Sequence, residues 1–168
     1  MNQMLTIAQL NQMSQSEFIA ALGEIWEDTP EIAGKTWHNK PFADINYLYE
    51  AMIAIVENMN NKEQLALIQA HPDLGSKAKM AQASVEEQSG VGLDKLSEAE
   101  YQRFQTLNQA YKNKFGFPFI VAVKYHNKDS ILEAFEIRLK NSLEAEKKQA
   151  LTEISKIARL RLEGLINR

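Results

Sequence analysis

The chain has 168 residues, 45% of them hydrophobic, with 19 basic against 22 acidic residues for a net charge of -3. That length fits one ordinary domain with a real core, read over residues 1–168. The scattered charge leaves no basic stripe for a phosphate backbone, so no nucleic acid partner is expected. The absence of cysteine removes thiolate nucleophiles, disulfides and zinc-thiolate sites. With no leader-like start and no run of membrane-spanning length, a soluble cytoplasmic protein with no membrane partner is expected.

Capping signals mark the elements in turn. Ser14 with Glu17 forms a capping box ahead of "FIAALGEIW", and that run breaks at Thr29-Pro30. After a turn region holding Trp37, Pro41 and Phe42, Asp44 can cap a run whose apolar residues Ile45, Leu48, Met52, Ile55, Val56 and Met59 recur at helical spacing. Asn61 with Gln64 opens "KEQLALIQA", which must stop near His71 because the residue before proline is pushed out of the α region. Ser97 with Glu100 opens a helix that Gly116 closes. "FPFIVAV" at 117–123 has no partner strand and reads as a buried extended connection. Asp129 or Ser130 starts "ILEAFEIRLKN", and a last helix runs from about Ser142 to Leu165. The expected fold is all-α, a compact single-domain bundle of about six to eight helices, several of them short.

Three places could carry chemistry. His71 ends a helix, where the negative end of the macrodipole favours an imidazolium, and Pro72 fixes the direction in which the chain leaves. It can donate a proton, or it can simply cap the helix. Asp73 two residues on can equally cap a turn, and with three histidines and no cysteine no metal is expected. Ser84 and Glu87 form another capping box, and Glu86, Glu87 and Gln88 crowd against Ser89, Gly90 and Gly92. Free amides, a hydroxyl, a carboxylate and a carboxamide so close together could grip a small molecule rich in amide edges. On the last helix the apolar stripe uses Leu151, Ile154, Ile157, Ala158, Leu162 and Leu165. Arg161 borders it, while Arg159 falls on the wet face beside Ser155 and Glu163. A guanidinium at Arg161 needs a partner, and either an internal carboxylate or a bound anion would satisfy it.

Taken in order, "HPDLG" at 71–75, "SVEEQSGVGL" at 84–93, "NKFGFPFIVAV" at 113–123, "RLKN" at 138–141 and "EISKIARLRL" at 153–162 resemble the 2-oxo-4-hydroxy-4-carboxy-5-ureidoimidazoline (OHCU) decarboxylases of urate degradation. The resemblance covers nearly the whole chain, with a short segment between "HPDLG" and "SVEEQ". It implies a compact all-α fold, a homodimer, no cofactor, and conversion of OHCU to (S)-allantoin and CO2, the last step from urate. By position it implies His71 as the catalytic acid and Glu87 as its carboxylate partner. Pro72, Ser84, Val85, Glu86, Gln88, Arg161 and the backbone of Phe119, Ile120, Val121, Ala122 and Val123 become the substrate-binding groups.

Such chemistry suits a site of protein groups alone. Loss of CO2 leaves an electron pair on ring C4, and the adjacent C5=N imine of the substrate can accept it, so no external electron sink is required. The protein must orient the carboxylate, hydrogen-bond the delocalised intermediate and deliver a proton to one face of C5. From another class stands a helical interaction module whose "HPDLG" segment is only a turn between helices; its polar loop residues would not converge.

Overall fold

A computed structural model of the chain describes residues 4–77 and 80–167. Among these residues the backbone forms nine α-helices and two 3-10 turns, and one isolated parallel bridge, Leu5 with Ile166, stands in place of any sheet. The all-α class read from the capping signals is the class observed. Two short helices, Ile7–Gln12 (α1) and Glu31–Thr36 (α3), raise the number, because six residues are too few for a 3.6-residue period to register. Among the described residues no helix is long and apolar enough to cross a membrane. Contacts gather the chain into two units, Met1–Leu67 with Ser155–Arg168 and Ile68–Ile154.

In the first unit, α1 is followed by Gln15–Leu22 (α2), α3 and Ile45–Glu57 (α4). Ser14 Oγ accepts the Glu17 N–H at 3.2 Å while the Glu17 carboxylate accepts the Ser14 N–H at 3.0 Å. That backbone bond from Ser14 holds the Glu17 carboxyl below its ordinary range. The helix stops at Leu22, ahead of the break expected at Thr29-Pro30. Beyond it Ile25, Trp26 and Glu27 are consecutive and all buried. Asp44 caps α4 through the Tyr47 N–H at 2.8 Å, and Ile45, Leu48, Met52 and Val56 form its buried stripe. α3 packs on both α2 and α4, Phe18 stacks on Phe42 at 5.7 Å, and the Trp26 indole N–H reaches the Met52 sulfur at 3.3 Å. The next helix, Asn61–Gln69 (α5), is opened by a box of Asn60 with Glu63, one residue earlier than Asn61 with Gln64. Gln64 instead donates to the Val56 carbonyl at 3.0 Å.

The second unit contains Gln82–Gly90 (α6), Glu98–Phe115 (α7), Lys128–Arg138 (α8) and the first half of Leu143–Leu165 (α9). Ser97 and Glu100 form the expected box on α7, and Gly116 closes that helix at φ 80, a left-handed conformation that costs glycine least. α8 is capped by Asn127 and Ser130 rather than starting at Asp129 or Ser130, since the Asn127 carboxamide reaches the Ser130 N–H at 2.9 Å. Residues 117–122 take neither helix nor ladder and end in the 3-10 turn Val123–Tyr125, as the paired signals of Gly116 and Pro118 require. The core is aromatic: Phe119 stacks on Phe135 at 3.8 Å, and Phe104 meets Phe135 edge-on at 6.2 Å.

Candidate active site

The "HPDLG" loop leaves the end of α5 and is fastened on several sides. The His71 N–H donates to the Ile68 carbonyl at 3.2 Å, and the residue is 8% exposed. Asp73 forms an ion pair with Lys112 of α7 at 2.8 Å, and Asn108 of the same helix donates to the Leu74 carbonyl at 2.8 Å. Gly75 sits at φ 68, where a Cβ would come within 2.9 Å of Leu96 Cδ1 and 3.3 Å of the Phe104 ring. Only glycine meets both the dihedral and the close approach without strain. His71 therefore projects from a loop whose backbone is held by α7 rather than from a free turn.

A further fastening comes from α6. Gln88 Oε1 accepts the Gly75 N–H at 3.0 Å, and its Nε2 donates toward the Asp73 carbonyl at 3.5 Å. Ser84 and Gln88 are buried one turn apart, and Glu87, half-buried, borders the same face. Val85 and Glu86 lie on the exposed side, where Glu86 accepts from Gln82 at 3.1 Å and the Val85 N–H is already bonded to the Ala81 carbonyl at 3.0 Å. The capping box expected at Ser84 and Glu87 is not formed. The helix starts at Gln82 after Ala81, which offers no side-chain cap, so Ser84 is inside the first turn. The amides ahead of the intrahelical ladder thus belong to Gln82, Ala83 and Ser84. The short segment before α6 includes Ala78 and Lys79, which lie outside the described residues.

α6 also packs against the 3-10 turn Val123–Tyr125, so the loop, the polar face of α6 and the end of the apolar segment adjoin within one unit. Phe119, Ile120, Val121, Ala122 and Val123 are all buried, which leaves the backbone as their polar contribution. Arg138 Nη1 donates to the Ile120 carbonyl at 2.6 Å and its Nε to Glu146 Oε1 at 2.7 Å. Glu146 also accepts from the Tyr111 hydroxyl at 2.6 Å and from Asn141 at 2.9 Å. Burial first, and the bond to Glu146 second, push the Tyr111 hydroxyl well above its ordinary value near 10. Glu153 Oε1 accepts the Ala122 N–H at 3.0 Å, and Gln149 donates to Glu153 Oε2 at 3.0 Å. The Ala122 carbonyl accepts from the Tyr125 N–H at 3.1 Å. Of the five residues expected to offer backbone groups, Ala122 has both its N–H and its carbonyl engaged within the protein.

Arg161 belongs to the first unit. Its Nη2 lies 2.9 Å from Glu27 Oε2, with side-chain exposures of 7% and 1%, and its Nη1 donates to the carbonyls of Glu24 and Ile25 at 3.1 and 3.4 Å. Of the two partners open to it by spacing, the internal carboxylate is present. Arg159 pairs with Glu163 at 2.8 Å on the wetter face, as its spacing requires.

Sequence reasoning gave no part to Asn108, Arg138, Glu146 or Glu153. A signal existed: Arg138 follows Ile131 and Phe135 at i+7 and i+3, and Glu146 and Glu153 flank Ala150 on one buried stripe. A charged residue at a stripe position is a buried charge, and a buried charge requires a partner. The pattern does not say which partner.

Comparison with known proteins agrees along the chain. The family model described as OHCU decarboxylase matches residues 11–163. A 2-oxo-4-hydroxy-4-carboxy-5-ureidoimidazoline decarboxylase of Halalkalicoccus jeotgali is 45% identical over 96% of this chain and 92% of its own length. One from Haloferax volcanii is 42% identical over 94% of each. A crystal structure of (S)-allantoin synthase superposes with a TM-score of 0.76 at 31% identity, covering 96% of this chain and 54% of that one. The all-α architecture, the ordered motifs and these matches together place the chain in the OHCU decarboxylase family.

Proposed function

We propose that the protein catalyses decarboxylation of OHCU to (S)-allantoin and CO2 as a carboxy-lyase of urate degradation, without a cofactor. The observation that carries this reading, beside family membership, is the joining of the "HPDLG" loop to α6 through Gln88 and Gly75 at 3.0 Å. It brings the His71 loop beside the helix that carries Glu87. The C4 carboxylate leaves as CO2, its bonding pair forms C4=C5, and the C5=N pair moves onto the ring nitrogen, which takes a proton. Protonation of C5 and loss of the enolic proton from the C4 hydroxyl then give the C4 carbonyl of allantoin. His71 handles the proton at C5, and delivery to one face sets the S configuration. Glu87 either orients His71 or grips the 4-hydroxyl.

Pro72, Ser84, Val85, Glu86, Gln88 and the Phe119–Val123 backbone form the rest of the binding set, with Gln88 acting through the loop it fastens. Arg161 keeps a place as the cation for the carboxylate or ureido group, its guanidinium oriented by Glu27. One family model spanning residues 11–163 supports reading the chain as a single decarboxylase-like domain. A homodimer is the assembly that the family resemblance supports, and the absence of cysteine suits a reducing cytoplasm. The test is to add metal-stripped protein to freshly generated OHCU and follow ultraviolet decay and optical rotation. Accelerated decay with optically active allantoin is expected. Racemic product at an unchanged decay rate, or loss of activity on chelation, would overturn the reading.

A further inference from the structure

The apolar segment is pinned by two buried charged groups that the reaction itself does not use, and both grip the same side of it. Arg138 holds the Ile120 carbonyl at 2.6 Å and Glu153 holds the Ala122 N–H at 3.0 Å. Ala122 is extended, at φ -73 and ψ 93. In extended backbone the polar groups of residues i and i+2 point to one side and those of i+1 to the other. Engagement of residues 120 and 122 therefore turns the polar groups of Val121 the opposite way. Val121 is 5% exposed, yet among the described residues no hydrogen bond reaches its N–H or its carbonyl. Backbone groups that are buried and unmatched inside a protein are rare and call for a partner.

The anchors are themselves fixed. Glu146 takes the Arg138 Nε, the Tyr111 hydroxyl and the Asn141 carboxamide, and the Arg138 guanidinium lies over the Phe119 ring at 4.4 Å. Glu153 receives Gln149 on its second oxygen. So many bonds on buried ionic groups hold a rigid geometry that an apolar core would not impose. Had these glutamates served packing alone, Leu at the same stripe positions would have sufficed without desolvating a charge.

We propose that Glu153 and the Arg138–Glu146 pair are positioning residues for the substrate, holding residues 119–123 so that the Val121 amide and carbonyl meet the cyclic-urea edge of the bound imidazoline, its ring N–H and C2 carbonyl. The inference rests on the OHCU reading above. Glu153→Ala removes the acceptor for Ala122. Glu153→Gln keeps it, because the amide oxygen can take the Ala122 N–H while the Gln149 carboxamide turns to accept the new N–H2. Arg138→Lys keeps a cation beside Glu146, but one ammonium cannot reproduce the fork that reaches both Glu146 and the Ile120 carbonyl.

Steady-state kinetics on OHCU, run well below the lowest melting temperature of the set, tests this. Glu153→Ala should raise KM and lower kcat/KM by about 10- to 100-fold, the range expected when a bound group is misplaced by about an ångström. Glu153→Gln should recover most of that loss, and Arg138→Lys should raise KM about tenfold. Wild-type KM in Glu153→Ala, or a fall in kcat alone that tracks the folded fraction, would overturn the positioning role and leave these groups structural. Equal loss in the Gln and Ala variants would also overturn it. If Glu153→Ala does not fold, wild-type KM in Arg138→Lys overturns the role on its own. A wild-type protein inert toward OHCU is a distinct failure, and it overturns the reading on which this one rests.

Discussion

Two buried arginine–glutamate pairs lie one in each unit. Arg161 and Glu27 meet at 2.9 Å with side-chain exposures of 7% and 1%; Arg138 and Glu146 meet at 2.7 Å with exposures of 9% and 0%. By distance and burial they are equivalents, but their surroundings differ. Around Arg161 the further partners include two backbone carbonyls at the turn after α2. In the second pair Glu146 also accepts from a tyrosine and an asparagine, and Arg138 donates to the carbonyl of the segment proposed to bind substrate. A buried ion pair is weak testimony to stability, since its desolvation cost rivals its attraction, and what it holds in place tells more. The first pair orients a guanidinium; the second holds a stretch of backbone.

The largest expected effect separates both pairs from the chemistry. His71→Asn and Glu87→Gln should each keep the melting temperature of the wild type and lower turnover by about two to four orders of magnitude, the range of positioned acids and bases. His38 and His126 serve as controls, each already in contact with a neighbouring polar side chain, Gln15 and Ser130, and their replacement should change turnover little. Near-normal turnover in His71→Asn, measured by ultraviolet decay, would remove the imidazole from the mechanism.

Next come the pairs themselves. Arg138→Met strands Glu146 in the core and should cost about 3 to 5 kcal/mol in urea unfolding, and Arg161→Met should cost a similar amount by stranding Glu27. Adding Glu27→Gln to Arg161→Met should restore part of the second loss. If the ligand role of Arg161 holds as well, an anionic allantoin analogue should raise the wild-type melting temperature more than that of the Glu27→Gln/Arg161→Met double variant. An undiminished analogue response in the double variant would confine Arg161 to structure.

A smaller effect follows from Tyr111, whose hydroxyl is held above its ordinary value by burial and by Glu146. Because the folded value is raised, the unfolded chain ionises first as pH passes about 10. Above that pH the unfolded state binds fewer protons than the native one, so stability falls as pH rises further. Tyr111→Phe should cost about 1 to 2 kcal/mol at neutral pH through loss of the hydrogen bond to Glu146. It should also flatten the alkaline decline seen in urea melts between neutrality and about pH 11, a window that brackets the tyrosine range. An unchanged slope would mean that Tyr111 does not carry it.

The smallest effect provides the contrast on the same helix. Ser97→Ala removes the cap of α7, where Ser97 accepts the Glu100 N–H at 3.2 Å, and should cost about 1 kcal/mol. Because that cap lies outside the Tyr111 network, the alkaline slope should be that of the wild type. A changed slope would show the network reaching further than its bonds.

Local chemistry was legible where it acts within a few residues of itself. Ser14 with Glu17, Asp44, Ser97 with Glu100 and the stop at Gly116 follow from side chains that reach amides one turn away, and the stripe of α4 follows from periodicity. Together with the ordered motifs, those signals determined the helical class and the resemblance to a decarboxylase family. Where two registers compete, local signals decided less. Asn60 displaced Asn61, Ala81 displaced Ser84, and α2 ended at Leu22, ahead of Thr29-Pro30. A capping preference is worth only about 1 kcal/mol, so neighbouring registers compete closely.

The partners of the buried charges lay beyond the sequence altogether. Stripe position marked Arg161 and could have marked Arg138, Glu146 and Glu153, but periodicity reports only that a residue faces inward. That Glu27 meets Arg161, that Arg138 reaches back to the Ile120 carbonyl, and that Gln88 fastens Gly75 rather than standing free were decided by contacts between segments far apart in the chain. Such contacts depend on how helices pack and not on the spacing along any one of them.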